Sequence, residues 1–458
     1  MIMARTFALL SLVLLVGACA ETPLPPPTPP ALPAQWRHVA EGDGPGRDWW
    51  RAFGSDELER LIARADAGNL DRAGALVRVG QARAGARVAG AALWPEIAVG
   101  TDVSRQGGLK RDQGVNTSGY GVLLDARYEI DLWGGNRAGR DAALASLRAT
   151  AFERDAVELA VTAAVAVSWL DAVALRQRIG IAERNLQSAE RLLTLVESRG
   201  RAGAAAPLEL AQQRGLVAAQ RRMLAAMRQQ DEDARTEVAV LLGQTAGVEI
   251  GLDTLDTLAA PAIGAGMPSE LLARRPDVAQ AEALLAAADA DVAVARAAML
   301  PSLTLTGGLS GEGERLRRVF DNPLYALAAG VTAPIFNAGR LAAGRDLALA
   351  RREELLAGYR QAIVDAFADV EVALNAAVRL DVQAAFQAEE LAQAQSALTL
   401  AESRYRAGAE TLLTLLDAQR TLYAAQDTAV QVKLARLVAS VSLYKALGGG
   451  WRFDAAGE

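Results

Sequence analysis

Histidine and cysteine are nearly absent: the 458 residues include one histidine, His38, and one cysteine, Cys19. These counts exclude a zinc site made of His and Cys and an intrachain disulfide, and they make Cys–His or Ser–His catalytic machinery implausible in the folded body. Outside the N-terminus, no unbroken apolar run reaches the about 18 residues of a membrane-spanning helix. The net charge of −6 argues against nucleic acid, whose phosphates select basic surfaces. We therefore expect no enzyme activity, no metal or cofactor, and no nucleic-acid partner.

Small and aliphatic residues supply most of the apolar content. Hydrophobic residues make up 51% of the chain but aromatic residues only 5%, and the chain contains 41 glycines. The length alone is compatible with about three ordinary domains. A composition rich in Ala, Leu and Val predicts long, closely packed helices and not a large aromatic core.

The N-terminus has the pattern of a secretory signal over residues 1–18. Arg5 is followed by an apolar stretch from Phe7 to Val16 and then by small residues. The sequence Val16-Gly17-Ala18-Cys19 resembles a bacterial lipoprotein processing site, which implies that cleavage leaves Cys19 first and that it becomes acylated. Ala20, in place of Asp, implies sorting to the outer membrane. The alternative is a plain signal peptide with an incidental cysteine. With Cys19 acylated, we expect residues 19–48 to form a lipid anchor and a proline-rich spacer, with residues 22–33 in polyproline II conformation.

The rest of the chain reads as a tandem duplication. The blocks LWPEIAV (93–99), AGRDAAL (138–144) and ESRGRAG (197–203) return in the same order as MLPSLTL (299–305), AGRDLAL (343–349) and ESRYRAG (402–408). The period is far too long for a solenoid repeat. We expect a first repeat over 49–250, a linker over 251–267, a second repeat over 268–450 and a tail over 451–458.

Each repeat predicts the same order of elements. A helix comes first, from Asp56 to Ala92 and from Glu270 to Ala298. Apolar and polar residues then alternate with a period of two, which predicts β-hairpins at about 95–131 and 301–336. Helical hairpins follow at about 139–243 and 339–447, and their first helices are roughly 90 Å long at 1.5 Å per residue. The fold class is therefore mainly α with a β component in two tandem repeats.

Four amphipathic strands cannot close a barrel, and lipid tolerates no open sheet edge. The strands would have to pair across identical subunits, giving a barrel of eight, twelve or sixteen strands. A polar stripe of Asp125, Arg127, Glu129 and Asp131 suits a water-filled lumen. Closed across subunits around such a lumen, the strands would form a conduit.

Several motifs together resemble the TolC-like outer-membrane efflux channels, and within them the lipoprotein branch that serves resistance-nodulation-division transporters. The resemblance covers nearly the whole mature chain. Its motifs are Trp49-Trp50 with Phe53, Asp56 and Leu58; Leu271-Leu272; Arg274-Arg275-Pro276-Asp277-Val278; Ala281-Glu282; Tyr128-Glu129-Ile130-Asp131-Leu132-Trp133-Gly134; Ala333-Pro334-Ile335-Phe336; Tyr405-Arg406-Ala407-Gly408; Leu415-Leu416-Asp417-Ala418-Gln419-Arg420; and Ala446-Leu447-Gly448-Gly449-Gly450-Trp451.

This resemblance implies a homotrimer with a twelve-stranded transmembrane β-barrel, four strands per chain, standing on a long periplasmic α-helical barrel. It implies an outer-membrane exit duct for drugs or other small solutes, with no catalysis. The partners would be a periplasmic adaptor protein and an inner-membrane transporter of the resistance-nodulation-division type.

The resemblance also implies two sets of site residues. Glu410 and Asp417 match the periplasmic constriction, two turns apart on the returning helix, and Thr414 stands where some relatives carry a second acid. Leu413 or Leu416 would narrow the pore, and Arg404 and Arg406 would hold it shut. The helix tips at Arg201, Gly203, Arg406 and Gly408 would dock the adaptor. Ordinary solvated charges and simple glycine helix caps are the alternatives.

Two other functions remain open from the residues. One is a duct for secreted polypeptides, against which the lipoprotein processing site and the Leu-Leu-Asp-Ala-Gln-Arg segment favour the pump branch. The other is a structural or adaptor lipoprotein made of helical hairpins, which the two strand pairs and their glycine-rich loops disfavour.

Overall fold

The computed structural model describes residues 30–38, 44, 46–107, 116–203, 205–261 and 263–452. The expected signal peptide, Cys19 and most of the proline-rich spacer lie outside the described residues. So do the tip of the first β-hairpin and the end of the C-terminal tail.

Eleven helices and strands of regular length make up the described chain, besides three short 3-10 helices at Trp49–Phe53, Pro268–Ala273 and Leu316–Arg318. The first repeat contains α1 (Asp56–Gly68), α2 (Leu70–Ala91), β1 (Glu96–Gly107), β2 (Asn116–Ile130), α3 (Gly135–Arg201) and α4 (Pro207–Leu241). The second contains α5 (Pro276–Ala297), β3 (Ser302–Gly313), β4 (Leu324–Thr332), α6 (Arg340–Arg406) and α7 (Leu412–Ala446).

Corresponding helices of the two repeats have equal lengths. Helices α3 and α6 each have 67 residues, α4 and α7 each have 35, and α2 and α5 each have 22. At 1.5 Å per residue, α3 and α6 are about 100 Å long. One stretch of α3 is long and apolar enough to cross a membrane, but half of it is buried inside the fold. The predicted repeat of helix, β-hairpin and long helical hairpin is confirmed.

The prediction of one continuous helix from Asp56 to Ala92 is wrong, because the chain breaks at Asn69. The Asn69 amide donates to the Leu241 carbonyl oxygen at 2.8 Å, and its Oδ1 accepts from the Arg72 backbone N–H at 3.0 Å. A Cβ on Gly68 would lie 2.6 Å from the Leu242 carbonyl oxygen. The close approach of the end of α4 therefore requires glycine and a turn at this point.

The helix predicted from Glu270 to Ala298 is also divided, into the 3-10 helix Pro268–Ala273 and α5. Arg275 between them is extended, with φ −107° and ψ 115°, because a residue before proline is disfavoured in the α region. Pro276 then opens α5 at a position where its missing N–H costs nothing.

The main hydrophobic core lies where both repeats meet, around the middle of the long helices. Its largest buried side chains include Trp169, Phe53, Ile62 and Ile363. The Glu57 carboxylate fixes the inter-repeat linker to this core, accepting from the Trp169 indole N–H at 3.1 Å and the Gly251 backbone N–H at 2.6 Å. These two contacts hold the start of the linker against the first repeat.

Arg275 joins the start of α5 to α6 and to the end of α7. Its guanidinium is buried and donates to Asp277 at 2.6 Å, to Asp369 at 3.1 Å and to the Ala446 carbonyl oxygen at 3.0 Å. Hydrogen bonds to a charged donor are stronger than neutral ones, so this residue braces three helices at once.

Candidate channel and periplasmic gate

The four strands form one antiparallel sheet in the order β1-β2-β3-β4. Directly paired residues point to the same face of a sheet, so the register sorts the side chains into two sets. One face is apolar, and we name it the outer face. Its larger residues are Ile97, Val99, Val103, Tyr120, Val122, Leu124, Tyr128, Ile130, Leu303, Leu305, Leu309, Tyr325, Leu327 and Val331.

The opposite face, which we name the inner face, carries mostly polar, charged and small residues, besides Leu123 and Leu324. Its ionisable side chains are Glu96, Asp102, Asp125, Arg127, Glu129 and Glu312. Thr304, Thr306 and Ser310 of β3 lie between them. Three of the four residues predicted for a polar stripe, Asp125, Arg127 and Glu129, are on this face. Asp131 is not, since β2 ends at Ile130 and the Asp131 carboxylate accepts from the backbone N–H groups of Asn136 and Arg137 at 3.1 and 3.0 Å.

The outer face has the height of a membrane. From Ile130 to Tyr120 its apolar residues extend along β2 for about 33 Å at 3.3 Å per residue. A strand tilted by about 40° covers roughly 25 Å of membrane normal over that length, which is the apolar band of outer-membrane barrels. Most of the large side chains of the face are exposed in the single chain, and Leu327 and Tyr325 are each 81% exposed. Contact with lipid would remove these apolar side chains from water.

Both edges of the sheet are unpaired among the residues that the structure describes. There, strand β1 pairs only with β2, and β4 only with β3. Open backbone N–H and C=O groups beside an apolar face are costly in lipid, so the sheet requires further strands.

At the far end of the long helices, the chain turns twice in the same way. Gly203 and Gly408 have φ angles of 74° and 72°, which favour glycine. At the second turn the Ala409 N–H donates to the Arg404 carbonyl at 2.9 Å and the Gly408 N–H to the Tyr405 carbonyl at 3.0 Å. This is a Schellman motif, and it ends α6 sharply. Among the described residues, no heavy atom counted as a neighbour lies within 4 Å of the position of a Cβ on either glycine, so the space beside both turns is open.

Glu410 lies in the second turn and not on the returning helix, because α7 begins at Leu412 with Thr411 as its N-cap. The Glu410 carboxylate accepts from the Thr411 N–H at 3.2 Å and the Thr414 hydroxyl at 3.1 Å, and Arg404 lies 3.5 Å away. The hydrogen bond from the Thr411 backbone, that from Thr414 and the charge of Arg404 lower the pKa of Glu410. The expectation that Glu410 sits two helical turns from Asp417 is therefore corrected.

The first turns of α7 have one buried and one exposed stripe. Leu413, Thr414 and Asp417 are exposed, at helical spacing that places them on one side. Leu416 is only 1% exposed and packs in a small core at the tip, so Leu413 is the apolar residue of this pair that can face a pore. Within the described chain, no hydrogen bond or ion pair engages the Asp417 carboxylate.

The predicted arginine partners are divided between two contacts. Arg404 lies against Glu410, whereas Arg406 lies 3.5 Å from Glu402, one turn back on its own helix. Arg201 at the end of α3 is exposed at the first tip, beside Gly203.

Sequence reasoning assigned no role to two tyrosines that connect the hairpins. Tyr405 is buried in the core of the tip, with the Arg199 guanidinium 4.8 Å from the centre of its ring. The Tyr423 hydroxyl donates to the Asn185 carbonyl at 3.1 Å, and burial raises the pKa of Tyr423 to about 12. A signal was present, because the matched blocks ESRGRAG and ESRYRAG differ at Gly200 and Tyr405.

The model of the family described as outer membrane efflux protein matches residues 61–244 and 267–449. The chain belongs to the outer membrane efflux protein family. It is 50% identical over 467 residues to the pyoverdine export outer membrane protein OpmQ of Pseudomonas aeruginosa, with 99% of this chain and 98% of that protein covered.

Solved structures agree with the family assignment. The crystal structure of CusC, a protein that forms a transmembrane channel, matches this chain with a TM-score of 0.84 at 31% identity. The match covers 93% of this chain and 99% of the CusC chain. The open state of the MtrE outer membrane channel of Neisseria gonorrhoeae has a TM-score of 0.84 at 29% identity and covers 93% and 98%.

These findings establish an outer-membrane efflux duct that extends into the periplasm. The chain has the fold of one protomer of channels in which a β-barrel stands on a helical barrel. Channels of the family are homotrimers that function in tripartite pumps. In an outer-membrane barrel the apolar face of the strands meets lipid and the polar face lines the lumen.

Proposed function

We propose that three copies of this efflux protein close into one channel and form the passive exit duct of a tripartite pump. The observation that carries the proposal is a sheet with one lipid-suited face, one polar face and two unpaired edges. Pairing β4 of one copy with β1 of the next closes twelve strands and leaves no edge in lipid.

The helices support the same closure. Helices α2 and α4 lie at one side of each chain and α6 at the other, and all three leave large apolar side chains exposed. Examples are Val77 and Val88 on α2, and Val372 and Phe386 on α6. A second copy packed edge to edge would bury both sets, which is the ordinary way for an exposed apolar patch to be covered.

Acylation of Cys19 would add a lipid anchor to the barrel. Multiple acyl chains anchor a protein stably where one chain is marginal. The proline-rich segment between Cys19 and the described chain would span the distance from the membrane to the core as an extended spacer.

The gate of the duct is proposed at the second tip. In a trimer, each residue that faces the axis appears three times, so Asp417 would form a ring of three carboxylates. Leu413 and Thr414 would lie in the same constriction. The Arg404–Glu410 contact would fix each turn in the closed state, since Glu410 also accepts from the first turn of α7.

The helix tips at Arg201, Gly203, Arg406 and Gly408 would receive a periplasmic adaptor protein. That adaptor would connect the duct to an inner-membrane transporter of the resistance-nodulation-division type, which would supply the energy. The duct itself would have no enzymatic activity. The helix tips support this proposal because both turns are exposed and their glycines have open space around them.

The exported solute is proposed to be a siderophore of the pyoverdine class, given the OpmQ relative at 50% identity over nearly the whole of both chains. A strain lacking this chain should retain newly made siderophore in its periplasm, and the restored gene should release it. Retention of an unrelated dye but not of the siderophore would favour a drug duct, and retention of a polypeptide would favour the secretion alternative.

Single-channel recording in planar bilayers tests the gate. Asp417→Asn should abolish the block of current by divalent cations, and Glu410→Gln should raise the open probability. Asp233→Asn, an exposed carboxylate on α4 far from the tip, is the matched control. Wild-type currents in both tip variants would refute the assigned constriction.

A further inference from the structure

Charge is sorted between the two faces of the sheet. Among the described strand residues, the inner face carries the acids Glu96, Asp102, Asp125, Glu129 and Glu312 together with Arg127. The outer face carries a single charged residue, Arg105, which follows Val103 toward the extracellular end of β1. An arginine just beyond an apolar band lies where lipid headgroups begin.

The connection from β3 to β4 brings three more arginines to the same side. Gly311 and Gly313 belong to the outer face by register, opposite Val122 and Tyr120 of β2. A Cβ on Gly311 would overlap the Val319 carbonyl oxygen. A Cβ on Gly313 would lie 2.9 Å from the Arg318 carbonyl carbon. The connection therefore folds over the outer face of β3 and not into the lumen.

One residue of this connection is its anchor, and its neighbours face outward. Val319 is 1% exposed, seated on the two glycines. Around it Arg315, Leu316, Arg317, Arg318 and Phe320 are all exposed. We name Arg105, Arg315, Leu316, Arg317, Arg318 and Phe320 the rim patch.

We propose that the rim patch binds the phosphate groups of lipids in the outer leaflet, with its arginines on the phosphates and Leu316 and Phe320 among the adjoining acyl chains. The proposal rests on the closed barrel, because closure gives the sheet an outside.

Charge complementarity is the physical basis. Arginine presents a planar fork of donors that fits phosphate oxygens, and clusters of basic residues beside a membrane attract anionic lipid. Glu314 and Asp321 are also exposed in this connection, but no ion pair joins them to the three arginines in the described chain. The guanidinium groups are thus available to an external anion.

Native mass spectrometry of the detergent-extracted channel tests the proposal, with lipid A carrying two phosphates as the probe. The variant is Arg315→Gln with Arg317→Gln and Arg318→Gln. The control is Arg214→Gln with Arg221→Gln and Arg228→Gln, an equal loss of charge on the exposed side of α4, outside the membrane. Binding is read only on the trimer peak.

The rim variant should bind lipid A about 100-fold more weakly, since each basic residue near a membrane surface contributes about one kcal/mol. The control should bind as the wild type does, and lipid A stripped of phosphate should bind the wild type as poorly as the intact lipid binds the rim variant.

A loss below about tenfold in the rim variant, or an equal loss in the control, would overturn the proposal. Inorganic phosphate that binds as tightly as lipid A would overturn the lipid assignment. If no trimer forms, the proposed channel fails; if the trimer forms without retaining lipid A, only the rim patch fails.

Discussion

Leu327 tests the assignment of the two faces of the sheet most severely. It lies on the outer face of β4, in register with Gly307 of β3, which pairs in turn with Ala126 of β2. Ala126 is near the middle of the apolar stretch of β2, so Leu327 is expected near the centre of the bilayer. Because Leu327 is 81% exposed, replacing it removes little packing within the chain.

The loss of stability in Leu327→Arg should therefore equal the free energy of placing an arginine side chain in lipid. That cost is about 2–4 kcal/mol at the midplane of an outer-membrane barrel, and so roughly 6–12 kcal/mol for three copies. The neighbouring variant Ala328→Arg puts the same side chain on the inner face. There the arginine stays in contact with water, so the free energy of unfolding should change little.

The assay is urea unfolding of the channel in lipid vesicles, followed by tryptophan fluorescence. Leu327→Arg should shift the unfolding midpoint strongly to lower urea or prevent assembly, and Ala328→Arg should unfold close to the wild type. Equal shifts for the two variants, or a larger shift for Ala328→Arg, would refute the assignment of outer and inner faces.

Three further predictions concern the helices. Arg275→Met should lower the free energy of unfolding by about 3 kcal/mol because it removes a buried charged donor and leaves its acceptors unpaired. The control Arg274→Met loses one partly exposed ion pair and should lower that free energy by less than about 1 kcal/mol. Equal losses for the two variants in thermal unfolding would contradict this. Gly408→Ala should lower the free energy of unfolding of the tip by about 1 kcal/mol because the φ angle of 72° disfavours a side chain. Hydrogen exchange of the backbone amides in the last turn of α6 should become about fivefold faster. Unchanged exchange rates would contradict this prediction. Because the pKa of Glu410 is lowered, its hydrogen bond from the Thr411 N–H should be complete above the ordinary value of 4.5 and be lost only as the pH falls through the lower folded value. Nuclear magnetic resonance of the Thr411 amide checks this, and a transition above pH 4.5 would contradict it.

Much of the architecture could be predicted because it depends on the periodicity of apolar residues and on repeated sequence blocks. Both are visible in the sequence itself. The blocks around Pro95 and Pro301 and around Gly203 and Gly408 identified the two repeats. Alternation with a period of two identified the sheet and its apolar face, since a strand places successive side chains on opposite sides. The register then confirmed the face.

The features that sequence reasoning missed depend on contacts between distant segments. The break at Asn69 is fixed by the end of α4, about 170 residues away, although the Gly68-Asn69 pair is a turn signal. Glu410 lies off the helix because Thr411 provides the N-cap and α7 begins only at Leu412. Leu413 and Leu416 have the same chemistry, and only the packing of α7 against Tyr405 and its neighbours decides which of them is buried.

Closure of the barrel by three copies is the central claim, and the native mass of the detergent-extracted protein tests it most directly. Light scattering or native mass spectrometry should give three times the mass of the lipidated chain, because only then do twelve strands close without an edge. A stable monomer in detergent that reinserts into vesicles as a monomer would contradict the account, since its four strands would leave two open edges in lipid.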